Sequence, residues 1–529
     1  MVNLKIPFLR VVFYGTVALY VIVTLVPYAF VTHDGPSHLY NSHVINEILF
    51  SSNTIYEKYH TFNPNWSQPN LIGYFVLCFL QLIVPFLWAE KILVALYVLI
   101  FSFGFRFLLK QVSSNSDWYS LLIFPFIFNT VLFWGFYNFL IGLALMFWLI
   151  GLYEKNKLKL GHLQIIHLAI LSILIFYSHA LVFVLSVLYV FIRIVIDNPK
   201  KLSKQVLIFA LKSMLFFLPG ALLFLIYLYQ QKSSDIVYDE GYNLLKRLSQ
   251  LWFQIDSLFF SGYAESFYLK LFYIILFILT ILFFYYHWRE KKNIFIPSFI
   301  LFLVYFLIYL FIPDYAAGGG IILIRVNLMF FLFWIVWLSC QPLSKYIKSL
   351  IIIFYLISLP FLYLRWSVIT CGALQCKHVI ELSENLIPSN SVFSTIHYKN
   401  VQGFIGEYQM HSYIDLMSNL DNYIAIKHNV VTLHNYEANS AFMASYFPII
   451  WKEWKNSEFI WDPIIKKGKL EYFKLDQFEQ NWNYKPEILL SIGSIEADEK
   501  TKSIWDSQNN YSLIKTDSIH FLNIYSLKK

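Results

Sequence analysis

Charged residues are scarce in this 529-residue chain, because only 14% of it is Asp, Glu, Lys or Arg whereas 58% is hydrophobic and 20% aromatic. Soluble globular domains usually carry about 25% charged residues. The scarcity therefore argues against an ordinary soluble enzyme and predicts a membrane protein with many spans. Lysine and arginine form no long run, so no nucleic-acid partner is expected.

Cysteine is also scarce, with four residues in the whole chain. Cys78 and Cys340 lie in apolar runs and are expected to be unreactive residues that pack in the apolar interior. Cys371 and Cys376 follow the last apolar run, and either a disulfide or two separate thiols fits their position. No internal repeat is visible, nor the paired broken apolar segments that mark inverted-repeat transporters.

Apolar runs dominate what the sequence does contain, and together they predict about 11–13 transmembrane helices. The runs cover 11–31, 71–88, 92–109, 118–134, 136–153, 163–178, 180–197, 205–230, 267–287, 293–312, 320–341 and 349–366. The sequence thus predicts a multi-pass protein of the cytoplasmic (inner) membrane, with an all-α polytopic bundle over residues 1–366.

Basic residues in the short loops orient these spans, since loops rich in Lys and Arg stay in the cytoplasm. Lys5 and Arg10 precede the first run, so the residues after that run should emerge outside. The later basic residues that mark cytoplasmic loops are Lys155, Lys157, Lys159, Lys200, Lys201, Lys204, Arg289, Lys291, Lys292, Lys345 and Lys348. The loops 137–138, 177–179, 231–266 and 313–320, and everything after residue 366, are then expected outside.

One region conflicts with this orientation. Arg106 and Lys110 should lie inside, which requires an odd number of crossings after the first loop, yet the runs 71–88 and 92–109 give two. Either one of these runs is re-entrant or the two basic residues violate the rule.

The stretch Thr32-His33-Asp34-Gly35-Pro36-Ser37-His38-Leu39-Tyr40-Asn41 follows the first span directly. Gly35-Pro36 predicts a helix start, because proline is favoured in a first helical turn. The predicted helix, about 36–50, is amphipathic and too short to span, which is typical of a juxtamembrane helix lying at the interface. Asp34 then either caps that helix or is a base held at the membrane surface. The His-Asp-x3-His spacing of His33, Asp34 and His38 does not indicate metal.

A first span, an acidic motif and a juxtamembrane helix resemble the opening of the GT-C superfamily of integral membrane glycosyltransferases. The Asp34-Gly35-Pro36-Ser37-His38 segment is similar to a poorly characterised bacterial branch of it with an Asp-Gly-Pro-x-His motif. The resemblance implies transfer of a sugar from a polyprenyl-phosphate or diphosphate donor to an extracytoplasmic acceptor. It implies that Asp34 is a catalytic base or a metal ligand, and we predict the first of these. His33, His38 and Tyr40, which lie close to Asp34 in the sequence, are candidate substrate-binding residues.

Charges inside apolar runs are costly and therefore informative. Arg325 follows the triplet Gly318-Gly319-Gly320 and either snorkels to the interface or binds phosphate through its forked donors. The resemblance implies the second, since GT-C proteins often hold the lipid phosphate with a late basic residue. Asn138 and His179, on the outward side, join the candidate substrate-binding residues. The acidic pair Asp239-Glu240 resembles only weakly the acidic metal ligands that oligosaccharyl-transferring members of the superfamily carry in such loops. No cofactor is therefore expected, and a divalent metal is not supported.

Residues 367–529 regain charge and are predicted to form an extracytoplasmic (periplasmic) α/β domain. Strand-like segments cover 391–396, 423–432, 488–492 and 519–525, and a helical segment covers 441–454. This region shows no glycine-rich phosphate loop, zinc spacing or Ser-His-Asp arrangement. The polar cluster His434-Asn435-Tyr436-Glu437 either contacts an acceptor or is a solvated loop, and the solvated loop is favoured.

The prediction is therefore a GT-C-like enzyme in which Asp34 is the general base and Arg325 holds the departing lipid phosphate. Three other classes remain open: a polytopic transporter or flippase, a lipid-linked glycan polymerase or ligase, and a non-catalytic assembly protein. A transporter should carry ionisable residues near the midplane of several spans.

Overall fold

The computed structural model describes most of the chain up to residue 397 and shorter pieces after it. The described residues are 6–198, 204–230, 243–253, 263–290, 296–316, 320–397, 404–405, 408–409, 414, 416, 418–438, 448–452, 464–466, 469–471, 486–492, 511–517 and 522–528. Their contacts divide the chain into two compact units. The first unit comprises Met1–Thr24, Ser67–Ile72 and Val94–Trp366, and the second comprises Leu25–Trp66, Gly73–Leu93 and Ser367–Lys529.

Helices dominate the described residues. In chain order they are α1 (Ile6–Leu25), α2 (Gly35–Phe50), α3 (Ile55–Tyr59), α4 (Ile72–Gln81), α5 (Phe86–Val112), α6 (Ser116–Tyr119), α7 (Thr130–Phe133), α8 (Tyr137–Asn156), α9 (His162–Ser178), α10 (Ala180–Asp197), α11 (Lys204–Leu215), α12 (Leu218–Gln230), α13 (Leu244–Phe253), α14 (Tyr263–Arg289), α15 (Pro297–Phe311), α16 (Ile322–Leu338), α17 (Lys345–Ser383) and α18 (Asp421–His428). A 3₁₀ turn at Ser120–Phe126 joins α6 to the segment before α7, and another covers Tyr436–Ala438.

Seven helical stretches in the described part are long and apolar enough to cross a bilayer, and five shorter apolar helices accompany them. The chain is therefore a helical, multi-pass membrane protein. The seven stretches are α1, α5, Ser116–Phe133, α8, α10, Glu265–Arg289 within α14, and α17; the shorter ones are α4, α9, α12, α15 and α16.

The lengths of two helices bear on the conflict around Arg106 and Lys110. The run 71–88 does not form one spanning helix, since α4 has ten residues and a turn separates it from α5. At 1.5 Å per residue α4 is about 15 Å long, half of what the hydrocarbon core requires. The 27-residue α5 is long enough to cross by itself, so these lengths favour the first alternative, in which only one of the two runs crosses.

The last apolar helix does not stop at residue 366. Helix α17 has 39 residues and continues to Ser383, so the sequence boundary between the two predicted domains falls inside it. Cys371 and Cys376 lie within this helix, and all four cysteines of the chain are free thiols. Of the two alternatives for Cys371 and Cys376, separate thiols is the one observed.

Small residues let the helices of the first unit approach closely, as is common between membrane helices. A Cβ on Gly104 of α5 would lie 2.8 Å from the Trp148 ring of α8, and one on Gly151 of α8 would lie 2.5 Å from the Phe107 ring. Larger aromatic rings fill the space between α15 and α16, where Tyr305 stacks on Phe333 with centroids 4.0 Å apart. Substitution of either glycine would force α5 and α8 apart.

The second unit contains a five-stranded sheet of order β10-β11-β9-β2-β5. Strand β2 is parallel to both neighbours, β5 and β9, whereas β11 is antiparallel to β9 and β10. The strands of the unit are β1 (His60–Phe62), β2 (Val392–His397), β3 (Phe404–Ile405), β4 (Tyr408–Gln409), β5 (Val431–Thr432), β6 (Ile449–Trp451), β7 (Ile464–Lys466), β8 (Lys469–Glu471), β9 (Ile488–Ile492), β10 (Tyr511–Asp517) and β11 (Leu522–Leu527). Helix α18 lies between β2 and β5 in sequence. Because β5 is parallel to β2, the segment after β5 begins at the carboxyl edge of the parallel strands.

The strands expected at 391–396 and 488–492 are confirmed by β2 and β9. The strand expected over 423–432 is wrong for most of its length, because α18 occupies Asp421–His428 and only Val431–Thr432 pairs as β5. In the segment predicted helical, 441–454, the described part holds strand β6 instead. Residues 441–447 and 519–521 lie outside the described residues.

Candidate functional site

Helix α2 begins where the sequence predicts, with Gly35 and Pro36 in its first turn. The capping hydrogen bond is made by Thr32, whose Oγ1 accepts from the Gly35 amide at 3.0 Å. Asp34 occupies the position before the helix, but its side chain makes no capping hydrogen bond. The carboxylate of Asp34 is thus not engaged at the helix start, although only 13% of the side chain is exposed.

The polar face of α2 is buried inside the second unit. Ser37, Asn41 and Asn46 are all buried, and α18 and the segment after β5 pack against the helix within the second unit. Asn41 exchanges two hydrogen bonds with Asn435, one in each direction, at 3.2 and 2.7 Å. The amphipathic pattern therefore marks a face that packs against other polar side chains rather than one that faces water.

His38, one turn after Asp34, forms an ion pair with Glu437. Nδ1 of His38 lies 2.7 Å from Oε1 of Glu437, and the Glu437 side chain is fully buried. The second carboxylate oxygen, Oε2, accepts hydrogen bonds from the Tyr74 hydroxyl at 2.7 Å and from the amide of Asn41. The solvated-loop interpretation of the cluster at 434–437 is wrong, because Glu437, Asn435 and His434 are all buried.

The segment that carries Glu437 is fixed from its other side by Asp421, which is fully buried at the start of α18. The Asp421 carboxylate accepts hydrogen bonds from Thr395 of β2 at 2.9 Å and Thr432 of β5 at 3.2 Å. His434 Nδ1 lies 3.3 Å from the same carboxylate. These contacts hold the chain rigidly where it leaves β5, so Glu437 meets His38 in a defined position.

The environment of His38 favours its charged form. Burial by itself lowers the pKa of the imidazole, but the charge of Glu437 and its hydrogen bond, with the charges of Asp34 and Glu90, outweigh burial and raise the pKa above its usual value. Tyr74 contacts the same nitrogen, with its hydroxyl 2.9 Å from Nδ1. The site around Asp34 therefore pairs a cationic imidazole with a buried carboxylate.

The other two predicted residues of this stretch have different surroundings. His33 Nδ1 is 2.9 Å from the Ser418 hydroxyl, and its Nε2 is 3.7 Å from the Asp34 carboxylate. Tyr40 is fully buried, and its hydroxyl accepts from the Thr432 amide and donates to the Val430 carbonyl. Its position beside the backbone of β5 indicates a structural role, whereas His33 lies next to Asp34.

Two of the three predicted residues of the first unit, Arg325 and His179, lie near the same phenylalanine. The Arg325 guanidinium lies 4.2 Å from the centroid of the Phe136 ring and 6.0 Å from that of Phe139. Phe139 in turn makes an edge-on contact with the His179 ring, with centroids 5.2 Å apart. Asn138, between the two phenylalanines, donates to the Asn70 carbonyl at 3.1 Å. Arg325 is half-buried on an aromatic surface rather than extended into solvent.

His179 also has a structural task, since its Nδ1 accepts from the Leu181 amide at 3.2 Å and so caps α10. The residue before α16, Ile321, has a positive φ of 56°. A β-branched residue rarely adopts that backbone conformation, and such strain concentrates at functional sites. Asp314 stabilises this start of α16, because its Oδ1 accepts from the Leu323 amide at 3.0 Å. Of the glycine triplet, Gly318 and Gly319 lie outside the described residues.

No group of three or more His, Cys, Asp or Glu side chains within the described part of the chain is arranged to hold a metal ion. The acidic pair Asp239-Glu240 lies outside the described residues. Comparison with known proteins does not assign the chain to a family, because no protein-family model matches it and no curated protein matches its sequence.

Two sets of residues escaped the sequence reasoning. Glu437, Asn435, Asn41 and Tyr74 complete the surroundings of His38, and the only sequence signal was the polar cluster at 434–437. The second set is a buried ion pair of the first unit, in which Arg365 Nη2 lies 3.4 Å from Glu265 Oε2 and neither side chain is more than 4% exposed. Arg365 stands at the end of the last apolar run, where it resembles an ordinary interfacial residue.

Proposed function

We propose that this chain is an integral membrane glycosyltransferase of the GT-C type. It transfers a sugar from a polyprenyl-phosphate or polyprenyl-diphosphate donor to a glycan, lipid or protein acceptor outside the cytoplasm. In this proposal the protein resides in the cytoplasmic membrane, and residues after 366 contribute an extracytoplasmic α/β domain. The helical multi-pass architecture and the Asp34 motif support it.

The observation that carries the proposal is the position of Asp34. Thr32 accepts the hydrogen bond from the Gly35 amide, and the Asp34 side chain makes no capping hydrogen bond. It lies 3.7 Å from His33 Nε2, and its charge acts on His38 one turn away. A carboxylate in a mostly buried setting beside two imidazoles is a suitable general base.

In the proposed reaction Asp34 takes the proton of an acceptor hydroxyl while the hydroxyl oxygen attacks the anomeric carbon of the sugar. The bond between that carbon and the lipid phosphate oxygen breaks, and the phosphate leaves with the electron pair. The sugar is transferred in one displacement, with inversion at the anomeric carbon. His33 and His38 are proposed to position the carboxylate or a sugar hydroxyl.

Arg325 is proposed to bind the phosphate of the lipid donor. Its guanidinium lies 4.2 Å from the centroid of the Phe136 ring, and its planar N–H fork is the proposed recognition element. A planar fork suits phosphate oxygens, and its charge would offset the charge that develops on the leaving phosphate. Asn138 and His179 are the other candidate substrate-binding residues of the first unit.

The experiment uses the purified full chain in nanodiscs with a panel of labelled donors. The panel contains polyprenyl-phosphate glucose, mannose and arabinose and a polyprenyl-diphosphate N-acetylhexosamine, with a membrane extract as acceptor. Donor-dependent labelling of the acceptor that Asp34→Asn abolishes is the expected result. Transfer of the donor lipid across the bilayer without bond cleavage would instead favour a flippase, and equal labelling by Asp34→Asn would refute the role of Asp34.

A further inference from the structure

The ion pair between His38 and Glu437 joins residues that are 399 positions apart in the sequence. Glu437 is fully buried, and a buried carboxylate is costly unless it is paired and hydrogen-bonded. Here the Tyr74 hydroxyl and the Asn41 amide donate to Oε2, and His38 Nδ1 lies against Oε1. The pairing is therefore specified by three side chains from two helices.

We propose that Glu437 is a positioning residue for His38: its carboxylate holds the imidazole through Nδ1 and supplies the counter-charge of the imidazolium. The inference rests on the proposed function for its catalytic meaning. It concerns the acceptor side of that reaction, because Asp34 is the group assigned to the acceptor hydroxyl.

Four charged or titratable groups face His38. They are Glu437 after β5, Tyr74 of α4, Asp34 at the start of α2 and Glu90 of α5. Burial is the largest influence and opposes the imidazolium, so without Glu437 the balance shifts toward a neutral ring. Glu437 supplies the contacting counter-charge that offsets burial, with its Oε1 2.7 Å from Nδ1.

The geometry also fixes which nitrogen of His38 reacts. Nδ1 is occupied by Glu437 and Tyr74, at 2.7 and 2.9 Å. Any proton that His38 exchanges with a bound hydroxyl must then pass through Nε2. The arrangement corresponds to the base-plus-orienting-carboxylate logic of catalytic histidines in general.

The test is the titration of His38 in the full chain, without substrate. The protein is labelled with ¹⁵N-histidine and reconstituted in liposomes, and the His38 signals are assigned by their loss in His38→Gln. In the wild type we expect both ring nitrogens of His38 to be protonated at neutral pH. In Glu437→Gln we expect the midpoint to fall by at least about one pH unit, since removal of a contacting opposite charge shifts a pKa by 1–3 units.

Glu437→Asp keeps the charge on a shorter side chain and should restore most of the wild-type midpoint. The matched control is Glu57→Gln, which makes the same change at a half-exposed glutamate of α3 in the same unit and should leave His38 unchanged. A midpoint that is the same in Glu437→Gln and the wild type overturns the proposal. If Glu437→Gln does not fold, the wild-type spectrum still decides, because an unprotonated Nδ1 at neutral pH contradicts it.

These outcomes are separate from those for the proposed function. Failure of every donor in the panel would count against a glycosyltransferase and leave the His38 titration as it is. If donors are turned over, the pH dependence of the transfer rate tests the catalytic role of His38. The limb of that profile assigned to His38 should shift to lower pH in Glu437→Gln, as the titration midpoint of His38 does. A profile that only drops in height, without moving along the pH axis, would indicate a structural role.

Discussion

Thr32 and Asp34 offer a pair of substitutions that separates folding from catalysis within three residues. The structure gives the capping role to Thr32, whose fully buried side chain accepts from the Gly35 amide at 3.0 Å. Thr32→Val keeps the shape but removes that acceptor, and the Gly35 amide loses its buried partner. The expected cost is about 1 kcal/mol, the usual value for a lost N-cap, or about 2 °C in the unfolding temperature of a large domain.

Asp34→Asn has the opposite profile. Asparagine keeps the size of the side chain and one acceptor oxygen, and Asp and Asn are equally good before a helix. The Asp34 side chain makes no capping hydrogen bond, so the start of α2 should be as stable in Asp34→Asn as in the wild type. A general base contributes roughly 10²–10⁴-fold to rate, which corresponds to about 3–5 kcal/mol of activation free energy.

The assay combines thermal unfolding of each purified variant in nanodiscs with sugar transfer from the donor panel or complementation in a deletion strain. Thr32→Val should unfold earlier and transfer sugar at nearly the wild-type rate below its unfolding temperature. Asp34→Asn should unfold with the wild type and lose at least a hundredfold in rate. Full activity of Asp34→Asn, or an equal loss of activity in a folded Thr32→Val, would refute the assignment of the two roles.

Three further predictions concern single positions. Arg325→Ala should weaken binding of polyprenyl monophosphate at least tenfold, measured by native mass spectrometry. Arg325→Lys should weaken it less, because lysine keeps the charge but lacks the planar fork. Arg289→Ala, at an exposed arginine, is the control, and unchanged binding in Arg325→Ala would favour an interfacial role for Arg325. Glu265→Gln should destabilise the protein by about 3–5 kcal/mol in thermal unfolding, since it leaves Arg365 buried without its counter-charge, and a wild-type unfolding temperature would contradict this. A cysteine placed at the exposed Ser512 should react with a membrane-impermeant thiol reagent in spheroplasts, and labelling only after lysis would reverse the proposed orientation.

The sequence pattern was sufficient for elements whose signal is local. The helix start at Gly35-Pro36 and the strand at 488–492 were predicted from a few neighbouring residues, and the structure has both. The continuation of α17 also had a local signal. Buried apolar residues at Ile369, Ala373, Cys376 and Ile380 follow the 4-3-4 spacing of one helical face, although charged and polar residues between them end the apolar run.

The surroundings of His38 had no local signal, because each contact joins segments that are distant in sequence. Polar residues on one face of a helix are compatible with two environments, since that face can contact water or other polar side chains. Asn41 and Asn435 pair across 394 positions, and that pairing decides the matter for α2. The strand expected over 423–432 failed for a similar reason: its β-branched residues favour a strand, but the left-handed Asn429 ends a helix there, as asparagine commonly does.

Contact between α2 and the segment after β5 can be tested by an exchange of carboxylate and amide. Asn41→Asp alone places a second carboxylate against buried Glu437, whose Oε2 the Asn41 amide contacts. One of the two must then stay protonated, so its pKa in the folded protein rises above the unfolded value of about 4. A raised pKa means that the folded state keeps its stability at low pH and loses it as the pH rises through the folded value. Unfolding temperatures of Asn41→Asp should therefore fall relative to the wild type as the pH is raised from 5 to 8.

Combination of Asn41→Asp with Glu437→Gln returns the pair to one carboxylate and one amide, with their positions exchanged. The double variant should recover much of the lost stability and show a weaker dependence on pH than Asn41→Asp alone. Additive losses of the two single substitutions would mean that the side chains do not interact, and Glu437 would then have no fixed place beside α2 from which to hold His38.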